Sequence, residues 1–450
     1  MARYFAQKWR AWPGLLAAVL AACLCLAISP GLAQPPTVPL APNDVSILFP
    51  VPKTPADLAG LIALKDLANN GTLAPGRLWS EADFGRFVAI AKSPAGAVTI
   101  GGATSQIKFP PGTEAIDAWF IAGIRIDVGA PGLTPQIIDA FGQIPQIRFI
   151  AQPVTIQGGQ VVVHDMAAHL IFSFVTQEEQ LRPGCTALHP TDMIPFRAAL
   201  ADFAALRDDL AAGKFGPAVT TTGPLDVNPG FGAATHKGFR DALVQILQRN
   251  LISPRLTSMA VMGVPAPSPE PWIFLSMVKI KGVGFVPVQS PALDGTQMAQ
   301  MLQFLSPGKF AALPKPNTNN TNPITCKNAL TTKPFPETVR QGVATAEVLA
   351  GGTDQRVSDI TGIVSDPARS HFFNTDCVSC HTETRLSLKH NGGPIPQIAQ
   401  AVLPSDDWNV RNFGWGFSFD DGSFEATVTR RAAAETGEVV KAANALLASQ

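Results

Sequence analysis

The sequence predicts an α+β fold: a larger mixed domain of β-hairpins and helices, followed by a small, mainly helical module. Three observations carry this. Apolar residues alternate at period two in "GIRIDV" (123–128), and "QIRFIAQPVTI" and "QVVVHDMAAHLIFSFV" flank Gly158-Gly159, as strands joined by a tight turn do. Met193, Phe196, Leu200, Phe203, Leu206 and Leu210 recur every three or four positions, as on one face of a helix. Strand and helix signals do not alternate regularly and no fixed-period repeat is present, so a βαβ array is not expected.

Residues 1–33 read as an export signal. Arg3, Lys8 and Arg10 precede an apolar run from Leu15 to Ile28, and cleavage after Ala33 fits the small-residue rule. "LAAC", ending at Cys23, resembles a lipoprotein box, although the apolar run continues past it. Both readings place the chain in the periplasm or cell envelope, and the lipid at Cys23 would be its only membrane attachment. The mature domain then spans 34–305. It opens on a proline-rich lead-in expected to lie extended over the surface. A helix is predicted over 55–68, with Thr54 as cap, Pro55 in the first turn and Asn70-Gly71 as stop. In 123–128, Ile124, Ile126 and Val128 alternate with Arg125 and Asp127, which predicts a strand with one wet face. After the 193–210 helix, Phe239, Leu243, Ile246 and Leu247 mark another, and "LTSMAVMG" and "WIFLSMVKI" read as a second strand pair.

From 306 to 336 the composition shifts to Pro, Asn, Thr and Lys, with six prolines, which predicts a linker. The remaining module, 337–450, has 9 Lys plus Arg against 14 Asp plus Glu, a formal charge of −5. Its last helix is predicted from "RRAAAETGEVVKAANALL", with Val439, Val440, Ala443, Leu446 and Leu447 on one face, and another from "PETVRQGVATAEVLAGG". Over the whole chain 34 Lys plus Arg balance 34 Asp plus Glu, so no basic excess exists for nucleic acid.

The chemistry concentrates in "FFNTDCVSCHTETR" (372–385), where Cys377, Cys380 and His381 form C-x-x-C-H. From this chain's own Cys and His content, the pattern arises by chance about once in a thousand such sequences. Two intervening residues let two sulfurs span the vinyl groups of haem, and the adjacent histidine then falls beneath the iron. A thioredoxin-like dithiol needs a βαβ setting that is missing, and a zinc site needs two further close ligands. Export leaves Cys185 and Cys326 as a distant pair that could be a disulfide or two unrelated buried thiols.

At these residues the chain resembles the monohaem c-type cytochromes. The resemblance covers roughly 337–450 and implies one covalently bound haem c, attached through Cys377 and Cys380, with His381 as proximal iron ligand. A redox partner protein, docking on the acidic module through a basic surface, is the partner it implies. No methionine follows His381, so the usual distal ligand of the family is missing. His371, His390, Met298 or Met301 could replace it, or nothing could; bis-histidine ligation implies a low potential, and an open position implies small-molecule chemistry. Three functions stay open: electron transfer, a peroxidase-like haem enzyme, and a non-haem envelope protein. His164, Asp165 and His169 lie on a predicted strand, where the two histidines point to opposite faces and read as core or edge residues. "FGWGFSF" (413–419), with Phe413, Trp415, Phe417 and Phe419, reads as core packing, with shielding of a porphyrin edge as the alternative. No catalytic motif marks the larger domain.

Overall fold

The structure, a computed structural model, describes residues 39–69, 76–94, 97–100, 103–129, 144–175, 193–263, 273–280, 282–288, 354–367, 377–391, 394–405, 411–418 and 421–449. The export signal with Cys23, the 306–336 linker, Cys185, Cys326, Met298, Met301, His371, Phe419 and the helix expected over 336–352 lie outside the described residues. The fold is α+β. Its centre is an antiparallel sheet of β1 (Ser46–Leu48), β2 (Trp119–Asp127), β3 (Gln146–Gln157), β4 (Gln160–Val163), β5 (Ala167–Ser173), β6 (Leu256–Gly263), β7 (Ile273–Ile280) and β8 (Gly284–Val288). The order is β1-β2-β3-β5-β6-β7-β8, with β4 paired to β3. Gly158 and Gly159, at φ 58° and 81°, make the β3–β4 turn that the sequence predicts, a conformation that favours glycine. Around the sheet stand α1 (Pro42–Val45), α2 (Glu81–Ala91), α3 (Ile194–Ala211), α4 (His236–Asn250), α5 (Asp354–Ser365), α6 (Cys377–Asn391) and α7 (Arg430–Ala448), with a hairpin of β9 (Phe413–Phe417) and β10 (Phe424–Val428). The stripes predicted for α3 and α4 are buried as expected: Phe196, Leu200, Phe203, Leu206 and Leu210 on one, Phe239, Leu243, Ile246 and Leu247 on the other. Val439, Ala443 and Leu447 form the buried stripe of α7.

Two expectations fail for tertiary reasons. The lead-in is not draped over the surface: Leu40, Val45, Ile47, Leu48 and Phe49 are buried, and β1 pairs with β2 as an edge strand, Ser46 opposite Arg125 and Leu48 opposite Gly123. The helix expected over 55–68 is instead two short 3-10 turns, Asp57–Gly60 and Leu64–Asp66, followed by a two-residue strand, Ala68–Asn69. A continuous helix would use the Leu61 and Ile62 carbonyls in its own ladder. Here Arg240 Nε donates to Leu61 O at 3.0 Å, and the Ile121 amide donates to Ile62 O at 2.9 Å. Gly60 fits because a Cβ there would lie 2.3 Å from His236 Nε2.

The sheet has two unlike faces. Ile124, Ile126, Ile147, Phe149, Leu170 and Phe172 project to one, and all are buried in the main hydrophobic core. The register places Arg125, Arg148, Ile150, Gln152 and His169 on the other. That second face was expected to be wet. It is not: Arg125 is 6% exposed and Asp127 1%. The C-terminal elements cover it. The Trp415 amide donates to Gln152 Oε1 at 2.7 Å, Gln152 Nε2 donates to Trp415 O at 2.9 Å, and the Trp415 indole donates to Phe49 O at 3.0 Å. The Phe413 ring fills the space a side chain at Gly123 would take, since a Cβ there would lie 2.7 Å from it. Phe413 and Trp415 thus act as core residues, and residues 411–449 share one hydrophobic core with the sheet.

Candidate functional site

The C-x-x-C-H sequence opens α6. Cys377, Cys380 and His381 hold helical positions i, i+3 and i+4, which lie on one face. His381 is half-buried. His390 sits on the same helix nine residues on, a rotation of about 900° and a rise of about 13 Å, hence on the opposite side and more than two turns away. An intact α6 cannot bring both imidazoles to one iron, so the expectation that His390 might complete the coordination is corrected. Among the described residues no group of three or more His, Cys, Asp or Glu is placed to hold a metal ion alone.

Two elements, α5 and α7, fix α6 in place. Val357 and Val364 of α5 pack with Leu386 of α6 in a small separate core. The first turn of α7 leaves backbone amides without helical acceptors, and α6 supplies them. The Arg430 amide donates to Thr384 Oγ1 at 3.0 Å and the Arg431 amide to Glu383 Oε1 at 3.3 Å, while Thr429 caps α7 by accepting from the Ala432 amide. Thr384 Oγ1 donates to Glu383 Oε1 at 2.6 Å, and Arg430 Nη1 donates to Ser387 Oγ at 2.5 Å. Burial pushes the Glu383 carboxyl up to about 7, against the opposing charge of Arg430 and the bonds from Thr384 and Arg431. In turn α7 is tied to the sheet: Glu435 accepts from Arg125 Nη1 at 2.9 Å, Thr436 Oγ1 lies 2.8 Å from Ser46 Oγ, and Asn444 pairs with the Leu40 backbone. The sheet positions α7, and α7 positions the motif helix.

Between α6, α7, the β9–β10 hairpin and the second sheet face lies a charged layer. Glu435 joins Arg125 to Arg431, whose Nε donates to Glu435 Oε1 at 2.7 Å. Burial would raise the Glu435 pKa, but the Arg431 and Arg125 charges outweigh it and hold it at about 2. Asp127 accepts from Arg148 Nη2 at 2.8 Å and Gln146 Nε2 at 3.1 Å. Arg411 pairs with Asp165 and donates from Nη1 to the Met262 sulfur at 3.1 Å. These pairs leave donors over. Arg125 Nε and Nη2, Arg148 Nε and Arg411 Nε are buried with no hydrogen-bond partner among the described residues. Unmet guanidinium donors in a covered site favour a carboxylate or another planar anion.

His169 stands within this layer. Burial, then the charges of Arg148, Arg411, His381 and Arg125, depress its pKa to about 3, so its ring is neutral. His164, by contrast, lies in the β4–β5 turn with Nε2 2.8 Å from Thr155 Oγ1, the edge histidine the sequence suggests. Sequence reasoning missed the arginines and His169 as a group, because only the sheet register and the returning C-terminal chain bring them together. No known protein family, curated protein or solved structure matches this chain. Among the described residues no helix is long and apolar enough to cross a membrane.

Proposed function

We propose that this is an exported haem c-binding protein that passes electrons through one covalently attached haem, within a cytochrome c-like C-terminal region. Cys377 and Cys380 are the attachment sites and His381 is the proximal iron ligand. The observation that carries the reading is the placement of C-x-x-C-H at the start of a helix held by α7, whose Glu435 pairs with a buried arginine that keeps unmet donors. Attachment would use the Cys377 and Cys380 thiols, each adding its S–H across a vinyl group with no oxidant consumed. Haem supplies a one-electron Fe(III)/Fe(II) couple. Around it the chain's residues have separate tasks. His381 donates its nitrogen lone pair, Glu383 and Thr384 lock the helix that carries it, and Arg125, Arg148 and Arg411 offer donors suited to carboxylates. Trp415 and Phe413 close the sheet side against water.

The acidic C-terminal region fits a redox partner with a basic docking surface, whose electron exchange should slow as salt is added. Denaturing electrophoresis with haem-peroxidase staining, on protein matured in a host that attaches haem c, tests the core of the reading. Staining at the mature mass supports it. An unstained band contradicts it.

A further inference from the structure

We infer that Arg431, in the first turn of α7, is the positioning residue of the motif helix: it seats α5 and α6 on the sheet as one unit. Its effect on the iron rests on the haem reading above; the joint itself rests on hydrogen-bond geometry alone.

The molecule has two apolar cores here. α5 and α6 pack on each other through Val357, Val364 and Leu386, a small core separate from the main one. α7 belongs to the main core through Ala432, Val439, Ala443 and Leu447, and Leu388 of α6 also packs against it. Hydrogen bonds from both α5 and α6 converge on the Arg430-Arg431 pair that opens α7.

Arg431 is 5% exposed and reaches in three directions. Its Nη1 donates to Val364 O at 3.2 Å and to Asp366 O at 3.4 Å, at the C-terminal end of α5. The last carbonyls of a helix have no partner within it, and a cation there meets the negative end of the helix dipole. Its backbone amide donates to Glu383 Oε1 of α6 at 3.3 Å, and Arg430 Nη1 stands 3.7 Å from the other oxygen of that carboxylate. Its Nε donates to Glu435 Oε1 at 2.7 Å, and Glu435 Oε2 accepts from Arg125 Nη1 of β2 at 2.9 Å. Contacts therefore run without a break from the sheet, through one buried side chain, to the end of α5. The amide of the same residue carries them on to α6, where Glu383 lies two residues after His381.

Apolar packing tolerates sliding, whereas a planar guanidinium bonded to a carboxylate and two carbonyls fixes direction. The seating of α6 sets where the His381 ring points. Arg431 thus governs the angle of that ring at the iron without touching it, and the sheet serves as the mount of the motif helix.

The full-length holoprotein carries the test. Arg431→Met keeps the amide to Glu383 and removes the side-chain bonds. Its ferric haem should show shifted electron-paramagnetic g values and a shifted potential, while Phe149→Ala, altered in the main core, shows neither. In hydrogen exchange the amides of 354–365 and 377–391 should speed up together, by about tenfold or more, with those of β2 and β3 unchanged. Wild-type g values and potential in folded Arg431→Met, or equal shifts in Phe149→Ala, overturn the positioning role. Exchange that rises equally across the sheet, or in only one of the two helices, overturns the joint. Where the methionine variant fails to accumulate, Arg431→Lys serves. A single ammonium keeps the charge beside Glu435 but cannot also serve the α5 carbonyls, so the same shifts are expected in smaller degree. A wild-type spectrum with wild-type exchange in that variant overturns the inference. A wild-type chain without covalent haem removes the haem reading, and the exchange experiment on that chain then decides the joint.

Discussion

One sheet, two faces: Phe149 and Phe172 pack at 4.9 Å in the main core, while Arg148 and His169, one and three positions away on the same strands, lie on the opposite face, where Arg125 and Asp127 are buried. The first face is accounted for by folding alone, since burial of aromatic and aliphatic surface is the main favourable term in stability. The second is not. Burying several arginines against carboxylates adds little over a well-packed apolar layer, and unpaired guanidinium nitrogens are a net loss. A layer that folding does not favour, lying beside a C-x-x-C-H helix, is where function is to be sought.

The contrast can be broken from the charged side first. Replacing both cysteines, Cys377→Ser with Cys380→Ser, should abolish covalent haem completely while circular dichroism of the sheet and α3 is retained. Glu435→Gln should destabilise the fold by roughly 3–5 kcal/mol in denaturant titration, because Arg125 and Arg431 lose their shared buried partner. Its pH signature has a definite sign. Glu435 titrates at about 2 in the fold against an ordinary 4.5. Its pairing therefore stabilises above pH 4.5 and is lost as pH falls from 4.5 toward 2. The variant should lack that part of the acid transition, and an identical acid profile would show that Glu435 is not so paired.

On the apolar face, Phe149→Ala should cost about 3–5 kcal/mol through its cavity, yet leave the haem spectrum unchanged where the protein remains folded. A spectral change would mean that the two faces are not separable. Gly123→Ala is a smaller probe, about 1–3 kcal/mol by thermal unfolding, because its methyl group must displace the Phe413 ring. Ile156→Thr, at an exposed position near the β3–β4 turn, should fall within about 0.5 kcal/mol of wild type.

The apolar face was legible in the sequence and the charged one was not. Local periodicity gives the β3–β4 hairpin and the stripes of α3, α4 and α7, because neighbours in the chain decide those patterns. The alternation at 123–128 gives the strand and the opposition of Arg125 to Ile124, but it cannot tell water from a charged layer. That distinction depends on Glu435, which arrives from the other end of the chain. Similarly, the helix expected over 55–68 gave way to Arg240 and Ile121, whose claims on the Leu61 and Ile62 carbonyls have no local trace. For the candidate site, Cys377, Cys380 and His381 declare themselves by spacing. His169, Arg148 and Arg411 carry no motif: the register of β3 and β5 puts His169 and Arg148 on one face, and Arg411 comes to Asp165 and Met262 from the other end of the chain.

Intact-mass measurement of the mature chain, purified from a host able to attach haem c, tests the central claim most directly. Addition of one haem's mass, mapped by peptide fragmentation to Cys377 and Cys380, is the predicted result. A chain without that addition, or one in which those two cysteines are bonded to each other, contradicts it.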